Sequence, residues 1–268
     1  MRWTKIKNIV LLLLVVVNLF LLGLVGVRAW RTAQNDRLAQ ARMLQILENN
    51  GIAFLPAAFP GPMDLTGRRL TLTPVDETRA AALVGEITAA ETMGTRTIYR
   101  GERGVLTVTS SGEVTVDFFD RSSLTEEQVW QSLEQLGLSC RETARRQDGG
   151  MVEVEACLLL EGAPLPGEVV TLTSNGDVPA NLSFRALLGS SESLPSSRES
   201  ISAATALLRL LDALNRQGYI CSRIDDLYAG YTLSGAGPYT LEPTWFVEID
   251  TAPWRLAIDA YTGAVTTD

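Results

Sequence analysis

The sequence predicts an α+β fold in which a single N-terminal transmembrane helix precedes repeated units, each made of one helix and an antiparallel sheet. Three observations predict this fold. An unbroken apolar run fills residues 9–27, three helical stretches each end at a glycine, and three glycine turns each separate two strand-like runs. A helix that covers one face of an antiparallel sheet is the layer arrangement of α+β domains.

The apolar run extends from Ile9 to Val27, and Asn18 is its only polar residue. Its 19 residues, at about 1.5 Å each in a helix, nearly match the roughly 30 Å hydrocarbon core of a bilayer. A cleaved signal peptide is the alternative, but the run is longer than the apolar part of typical signal peptides. We therefore expect a cytoplasmic tail over 1–8, a transmembrane helix over 9–29 and a juxtamembrane stalk helix over 30–51.

The charges of the chain are divided unevenly. Residues 1–31 hold five of the 23 basic residues and none of the 31 acidic ones, so the rest of the chain carries a net charge of −13. Long domains that follow a membrane anchor translocate largely regardless of charge. The expected location is the cell membrane, with a single pass through the bilayer and the acidic C-terminal domain outside the cytoplasm.

Composition excludes several function classes. The chain has no histidine, which excludes Ser-His-Asp triads and His-ligated metal sites. The acidic excess argues against nucleic acid as a partner, because nucleic-acid affinity depends on clustered Lys and Arg.

Three helix ends share one pattern, in which a Leu is followed four residues later by Gly. The pattern occurs at Leu47 to Gly51, Leu133 to Gly137 and Leu214 to Gly218, and glycine in this position commonly ends a helix. The first of these helices carries an apolar stripe of Leu38, Ala41, Leu44 and Leu47.

Three later turns also share a pattern, with a glycine two residues before a valine. They are Ser111-Gly112, Asn175-Gly176 and Thr262-Gly263, and such steps are hairpin signals. We interpret the repeat as helix, glycine stop and meander, although chance recurrence is the alternative.

The repeat gives a division of the extracytoplasmic part. Residues 52–188 form the first α+β part, 189–200 form a Ser-rich linker, and 201–268 form a C-terminal α+β part. The helix of the last part is expected over 201–216, with Ser200 as its N-cap.

The three cysteines leave two interpretations open. If Asp148-Gly149 is a two-residue hairpin loop, Cys140 and Cys157 become cross-strand neighbours that could form a disulfide. If the turn lies one residue later, the pairing is lost. Buried free thiols are the slightly favoured alternative.

Carboxylate pairs are the remaining candidates for chemistry. Glu153 and Glu155 would share one strand face, as a glycosidase pair might be arranged, but a solvated strand face has the same pattern. Asp117 with Asp120 and Asp225 with Asp226 are equally unspecific. We therefore predict no enzyme, no catalytic residues, no cofactor and no metal.

Asn18 is the more specific candidate, because an amide within an apolar helix gains from a hydrogen bond to a second helix. Gly23 and Gly26 would allow such a helix to approach closely. These three residues are the predicted helix contacts, and simple tolerance of one Asn is the alternative.

Several segments resemble a known family. Met1 to Lys5 and Val17 to Leu22 resemble the N-terminus of the YycH/YycI family of Gram-positive bacteria, and Glu161 to Leu165 resembles one of its hairpins. Ile224 to Tyr231, Leu241 to Trp245 and Ile258 to Gly263 resemble its closing segment, with Asp259 where Asn is frequent and Ala264 where an acid is usual.

The resemblance implies a membrane-anchored, extracytoplasmic regulator of a cell-wall two-component system. Its expected partners are a sensor histidine kinase of the WalK (YycG) type, a YycH-like membrane protein and the lipid bilayer, with contacts made through transmembrane helices. The closing hairpin also resembles PepSY-type modules of protease propeptides. The alternative function is therefore a PepSY-like binding module that inhibits a protease or senses a wall ligand.

Overall fold

The computed structural model describes residues 2–119, 124–195, 198–235, 237–251 and 255–267; within the first helix it describes the side chains of 14–22 and of 34 onward. This part of the chain contains four helices, which are α1 (Arg2–Asn49), α2 (Glu77–Val84), α3 (Glu126–Gln135) and α4 (Ala203–Gln217). The last three begin at side chains that accept a hydrogen bond from the first helical turn, those of Asp76, Thr125 and Ser202. These side chains satisfy backbone N–H groups that have no partner within the helix.

Fifteen strands lie in the described residues. In chain order they are β1 (Ala53–Phe54), β2 (Arg68–Leu72), β3 (Ile87–Met93), β4 (Arg96–Gly101), β5 (Gly104–Thr109), β6 (Glu113–Phe118), β7 (Ser139–Asp148), β8 (Met151–Leu160), β9 (Ala163–Asn175), β10 (Val178–Arg185), β11 (Gly189–Ser193), β12 (Arg223–Ser234), β13 (Tyr239–Ile249), β14 (Leu256–Asp259) and β15 (Val265–Thr267).

The strands form two sheets. The eight-stranded sheet is antiparallel throughout and has the order β3-β4-β5-β6-β10-β9-β8-β7. The seven-stranded sheet has the order β1-β12-β13-β14-β15, to which β2 is added beside β13, and β11 beside β2. Its one parallel pair is β1 with β12. Because β1 and β2 pair with the C-terminal strands, the segment 52–188 contributes to both sheets.

Two hydrophobic cores lie beside these sheets. The first packs α2 and α3 onto the eight-stranded sheet and also takes in Leu70, Tyr231 and Leu241 of the other sheet. The second packs α4 and the end of α1 onto the seven-stranded sheet, around the fully buried Trp245. The indole N–H of Trp245 donates to the Ile201 backbone oxygen over 3.0 Å, which satisfies its polar atom in an apolar core.

The predicted fold class requires correction at the N-terminus. α1 is helical over Arg2–Asn49, but in the part of the chain that the structure describes, no helix is long and apolar enough to cross a membrane. Within the predicted span, side chains are described only for Leu14–Leu22, and the other residues of the 9–29 segment lie outside that description.

The predicted repeat of separate helix-and-sheet units is also wrong. α1 is followed by the two-residue strand β1, which joins the C-terminal sheet, and no meander of its own follows it directly. The four-stranded meander β3 to β6 follows α2, a helix that the sequence analysis did not identify. That meander and the one after α3 join edge to edge through β6 and β10, because joining them satisfies backbone groups that two separate sheet edges would leave unpaired.

Three local expectations differ from the structure. α4 begins at Ala203, so its N-cap is Ser202, whereas Ser200 was expected. The first five residues of the predicted 189–200 linker form β11, which pairs with β2 from Gly189 opposite Leu72 to Ser193 opposite Arg68. Near the end of α1, the buried side chains are Met43 and Leu47, whereas Leu38 and Leu44 of the expected stripe are exposed. The buried side chains of α1 pack against α4. The apolar stripe alone does not show on which side of α1 this helix lies.

Candidate functional site

The candidate site is a groove of about 660 Å³ between the two sheets. One wall is the end of β2 with the segment that follows it, and the opposite side is formed by the hairpin turns of the eight-stranded sheet. The lining residues are Thr71, Leu72, Thr73, Pro74, Val75, Gly94, Thr95, Thr97, Val108, Thr109, Ser110, Ser111, Gly112, Ala186, Gly237, Pro238 and Tyr239. The volume lies within the range of small-molecule pockets, about 300–1,000 Å³.

Local hydrogen bonds hold the turns that line the groove. The Thr109 and Ser111 hydroxyls lie 2.7 Å apart, and the Thr109 hydroxyl oxygen also accepts from the Glu113 N–H over 3.1 Å. Gly112 has a φ of +84°, which the turn requires and which glycine adopts without strain. The Ser111-Gly112 hairpin predicted from the sequence therefore forms one rim of the groove.

A buried tyrosine fixes the opposite wall. The Tyr99 hydroxyl donates to the Val75 backbone oxygen over 3.2 Å. Burial raises the pKa of Tyr99, and the neighbouring Glu77 and Asp76 carboxylates raise it further. The hydroxyl thus stays protonated and remains a donor to the wall.

The ladder between β2 and β13 ends inside the groove. Arg68, Arg69 and Leu70 pair with Leu241, Thr240 and Tyr239 in turn, and no pair follows in the described ladder, although β2 continues to Leu72. The residue before Tyr239 is Pro238, which has no N–H to donate. Thr71 and Leu72 have a strand partner on the β11 side only, and of the two only Leu72 has backbone groups that face the groove side, because the Thr73 N–H donates to the Leu188 oxygen and alternate residues of a strand face the same neighbour.

The groove is lined without charge. No Asp, Glu, Lys or Arg is among its lining residues, which are hydroxyl-bearing, apolar or glycine. Thr97 and Val108 are cross-strand partners, and their row continues into the buried Val114. The site therefore offers hydroxyl and backbone hydrogen bonds beside apolar surface, whereas a charge bound there would lose water without gaining a counter-charge from the lining.

Cys140 and Cys157, the possible disulfide pair, lie on the neighbouring strands β7 and β8. Cys140, Cys157 and Cys221 are all free thiols. The β7–β8 turn lies at Gly149-Gly150, and a bulge between Glu142 and Ala144 then sets Cys140 opposite Leu158 and Arg141 opposite Cys157. Successive side chains of a strand point to opposite faces, so this register separates the two sulfurs across the sheet. Burial raises the pKa of Cys140 to about 12, so the thiol is protonated near neutral pH.

The carboxylate pairs are occupied by neighbouring groups. Glu153 and Glu155 share a strand face as predicted, and both accept hydrogen bonds from Arg146, over 3.2 and 2.9 Å. Asp117 accepts from the Asn181 side chain over 2.8 Å. The predicted partner of Asp117, Asp120, lies outside the described residues.

The third pair is likewise engaged. Asp225 pairs with Arg223, and the Asp226 carboxylate accepts from the Leu227 N–H. Among the residues that the structure describes, no group of three or more Asp, Glu or Cys is arranged to hold a metal ion.

The predicted helix contacts, Asn18, Gly23 and Gly26, lie in α1 and are not among the residues that line the groove. The Asn18 side chain is exposed and donates to the Leu14 backbone oxygen of its own helix over 3.0 Å. Gly23 and Gly26 lie in the helical stretch whose side-chain surroundings are not described.

The groove was not predicted from the sequence. The one indication of the groove in the sequence is a cluster of Thr and Ser around Gly94 and Gly112. This composition is typical of ordinary turns. The contribution of β2 depends on tertiary contacts with a distant part of the chain.

Comparisons with known proteins give neither a family nor a relative with an assigned function. No family model matches the chain, and no curated protein matches it. Among solved structures, an uncharacterised protein from Eubacterium rectale ATCC 33656 is similar, with a TM-score of 0.49, 10% identity, and coverage of 75% of this chain and 86% of that chain. The C-terminal domain of Bacillus megaterium YpeB is similar with a TM-score of 0.39, 12% identity, and coverage of 71% and 94%. At these scores and identities, neither likeness carries an argument about function.

Proposed function

We propose that this protein is a non-enzymatic regulator that modulates a sensor histidine kinase of the WalK (YycG) type together with a YycH-like partner. The sequence segments that resemble the YycH/YycI family motivate the proposal. The structural observation that supports it is the attachment of α1 to the second core, because a regulator of this kind must pass a change in its folded part to the helix that meets the kinase.

The attachment has two parts. Met43 and Leu47, each 1% exposed, pack in the core formed by α4 and the seven-stranded sheet. The chain then continues directly into that sheet, since the Ile52 N–H donates to the Leu47 oxygen and the Ala53 N–H to the Ser222 oxygen, both over 2.9 Å. A shift of the sheet would therefore displace the end of α1 with it.

The proposed location is the cell membrane, with the acidic part of the chain outside the cytoplasm. Eight apolar side chains between Leu14 and Leu22 are each at least 47% exposed, and an exposed apolar surface of this kind favours lipid or a partner helix. Membrane fractionation, followed by protease digestion of intact cells, measures this location. Recovery of the chain in the soluble cytoplasmic fraction would contradict it.

The regulatory proposal is tested by kinase autophosphorylation in membranes that contain the kinase, the YycH-like partner and this protein. We expect removal of the protein to change the rate, and Leu47→Asn to reproduce much of that change, because it loosens the attachment of α1. Leu44→Asn is the matched control, since Leu44 lies one turn away and is 42% exposed. Asn18→Leu tests the predicted helix contact in the same assay. An unchanged rate without the protein would end the proposal.

A second candidate function is a binding module in which the folded part itself takes a ligand. The uncharged groove between the two sheets favours it, and the PepSY-like character of the closing hairpin is consistent with it.

A further inference from the structure

We propose that the outer edge of β7 binds an extended basic segment of another protein. The segment adds to the eight-stranded sheet as a further antiparallel strand and places its Lys or Arg side chains beside α3. Addition of a strand to an open sheet edge is an established mode of peptide recognition, in which main-chain hydrogen bonds supply affinity and side-chain contacts supply selectivity. No residue of β7 lines the groove between the two sheets, so this site is separate from it and goes beyond both candidate functions.

The outer edge of β7 is open. β7 is the last strand of its sheet, and in the described part of the chain no strand pairs with its outer side. The Gly176 N–H donates to the Gly150 oxygen over 2.8 Å, so Gly150 and every second residue after it turn their backbone groups to β9. The residues between them, from Met151 to Cys157, turn theirs to β7. The β7 residues opposite these are Asp148, Arg146, Ala144 and Arg141.

The other residues of β7 have backbone N–H and C=O groups that point away from the sheet. They are Cys140, Glu142, Arg145 and Gln147, and these backbone groups have no hydrogen-bond partner among the described residues. A bulge at Thr143 divides them into two pairs. A strand that pairs with Cys140 and Glu142 alone would gain up to four main-chain hydrogen bonds, because each of these two residues has one donor and one acceptor.

A cleft of about 190 Å³ lies between this half of the edge and α3. It is lined by Trp130 and Glu134 of α3, by Cys140 and Glu142 of β7, and by Ala156 of β8. Residues directly opposite each other in an antiparallel pair have their side chains on the same face of the sheet. Alternate side chains of an added strand would therefore enter the cleft, where they meet the Trp130 ring, and indole is the side-chain ring that attracts cations most strongly.

The charges beside the cleft favour a basic ligand. Arg145 pairs with Glu126 and Glu142 over 2.6 and 3.0 Å. Glu127 and Glu134 line a second depression beside Trp130, are exposed, and form no ion pair with a described residue. The net charge of −8 also attracts a basic segment on approach.

The opposite face of β7 has the reverse preference. Arg141 is exposed on that face, with its guanidinium 5.8 Å from the ring centre of Tyr228. A basic side chain beside Arg141 would be repelled, because like charges on neighbouring strands destabilise the pairing. The favoured ligand therefore has Lys or Arg at every second residue and uncharged residues between them.

The test uses the full-length chain and an acetylated, amidated seven-residue peptide with Lys at every second residue and Ala, Val or Thr between. In the proposed antiparallel addition, the Lys residues share the face of Cys140 and Glu142, so their N–H groups are the ones that face β7. We expect saturable binding by fluorescence anisotropy of the labelled peptide, and binding weaker by about tenfold or more when the Lys N–H groups are methylated. The matched control peptide is methylated at the intervening residues, whose N–H groups point away from β7, and should bind nearly as well as the parent.

Variants of the chain locate the binding. We expect Glu134→Arg to weaken binding of the Lys peptide by about tenfold or more, because it reverses the charge beside the cleft. Glu127→Arg repeats the change at a second exposed position beside Trp130. The control is Glu91→Arg, which makes the same change at an exposed position of β3, the strand at the other edge of the same sheet. Binding by this variant should be close to that of the wild type.

Each contrary outcome removes a stated part of the inference. Equal binding of the peptide methylated at its Lys residues would overturn strand addition. Binding that persists at full strength in both α3 variants would place the ligand elsewhere and overturn the site. Absence of saturable binding up to millimolar peptide would overturn the inference as a whole, and would leave the kinase proposal to its own assay.

Discussion

Gly230 of β12 passes so close to Pro164 of β9 that a Cβ atom on residue 230 would lie 2.5 Å from the Pro164 backbone oxygen and 3.0 Å from Cε2 of Phe246. At this point β12 of the seven-stranded sheet crosses close to β9 of the eight-stranded sheet. Two neighbouring contacts support it, since the Arg255 guanidinium donates to the Pro166 oxygen over 3.1 Å and the Arg141 guanidinium lies 5.8 Å from the ring centre of Tyr228. A side chain at position 230 would push the sheets apart.

Gly230→Ala should therefore destabilise the fold. Overpacking of a well-packed contact costs about 1–3 kcal/mol, so we expect a loss of this size in the free energy of unfolding, measured by urea denaturation. Gly61→Ala is the control, because no atom lies within 4 Å of a Cβ built there and its φ is not in the left-handed region. Equal stability of the two variants would contradict the close crossing.

Leu47→Ala should cost about 2–5 kcal/mol, the usual cost of truncating a fully buried leucine. Leu47 is 1% exposed, whereas Leu44 is 42% exposed, so Leu44→Ala should have a much smaller effect. Thermal unfolding of both variants measures the difference. A larger loss for Leu44→Ala would mean that α1 presents a different face to α4.

Ser202→Ala should destabilise α4 by about 0.5–2 kcal/mol, the range for loss of an N-cap. The Ser202 hydroxyl accepts from the Thr205 N–H over 3.3 Å. Ser200→Ala distinguishes the N-cap seen in the structure from the one expected from the sequence, and should have the smaller effect. Chemical denaturation followed by far-UV circular dichroism measures both.

Cys140 should make stability depend on pH in the alkaline range. Burial raises the pKa of its thiol to about 12, whereas an unfolded thiol titrates near 8.5. The contribution is fully present below about pH 8.5 and is lost as pH rises from there toward 12, because only the unfolded chain releases the proton in that range. We expect the wild type to lose about 1 kcal/mol more than Cys140→Ala between pH 8 and pH 10, after allowance for solvent access.

The rate of alkylation gives an independent measurement of how far the fold protects the Cys140 thiol. Alkylation of Cys140 by iodoacetamide at pH 8 should be much slower in the folded chain than in urea, because the thiolate is the reactive form. Mass spectrometry of the unfolded, unreduced chain should find all three cysteines alkylated. A mass that shows only one alkylated cysteine would indicate a disulfide and contradict the register of β7 and β8.

Local features were predictable where neighbouring residues decide the conformation. The glycines after three helices have positive φ angles, +73° at Gly51, +87° at Gly137 and +72° at Gly218, as expected for helix ends. Turns lie at Gly112, Gly176 and Gly263, between the strands expected on either side. The register around Cys140 was not predictable, because one residue in the position of a turn and one bulge decide which side chains face each other.

By itself, the sequence determined the α+β composition of the chain, its helix ends and hairpin turns, and the separation of a basic, apolar N-terminus from an acidic remainder. These properties depend on backbone preferences and side-chain polarity within a few residues. Only the tertiary structure decided that β2 pairs with β13, that this ladder ends at Leu70 opposite Tyr239, and that the groove forms between the two sheets. The groove joins segments more than a hundred residues apart, and hydrogen bonding between such segments depends on how the sheets pack rather than on any local preference.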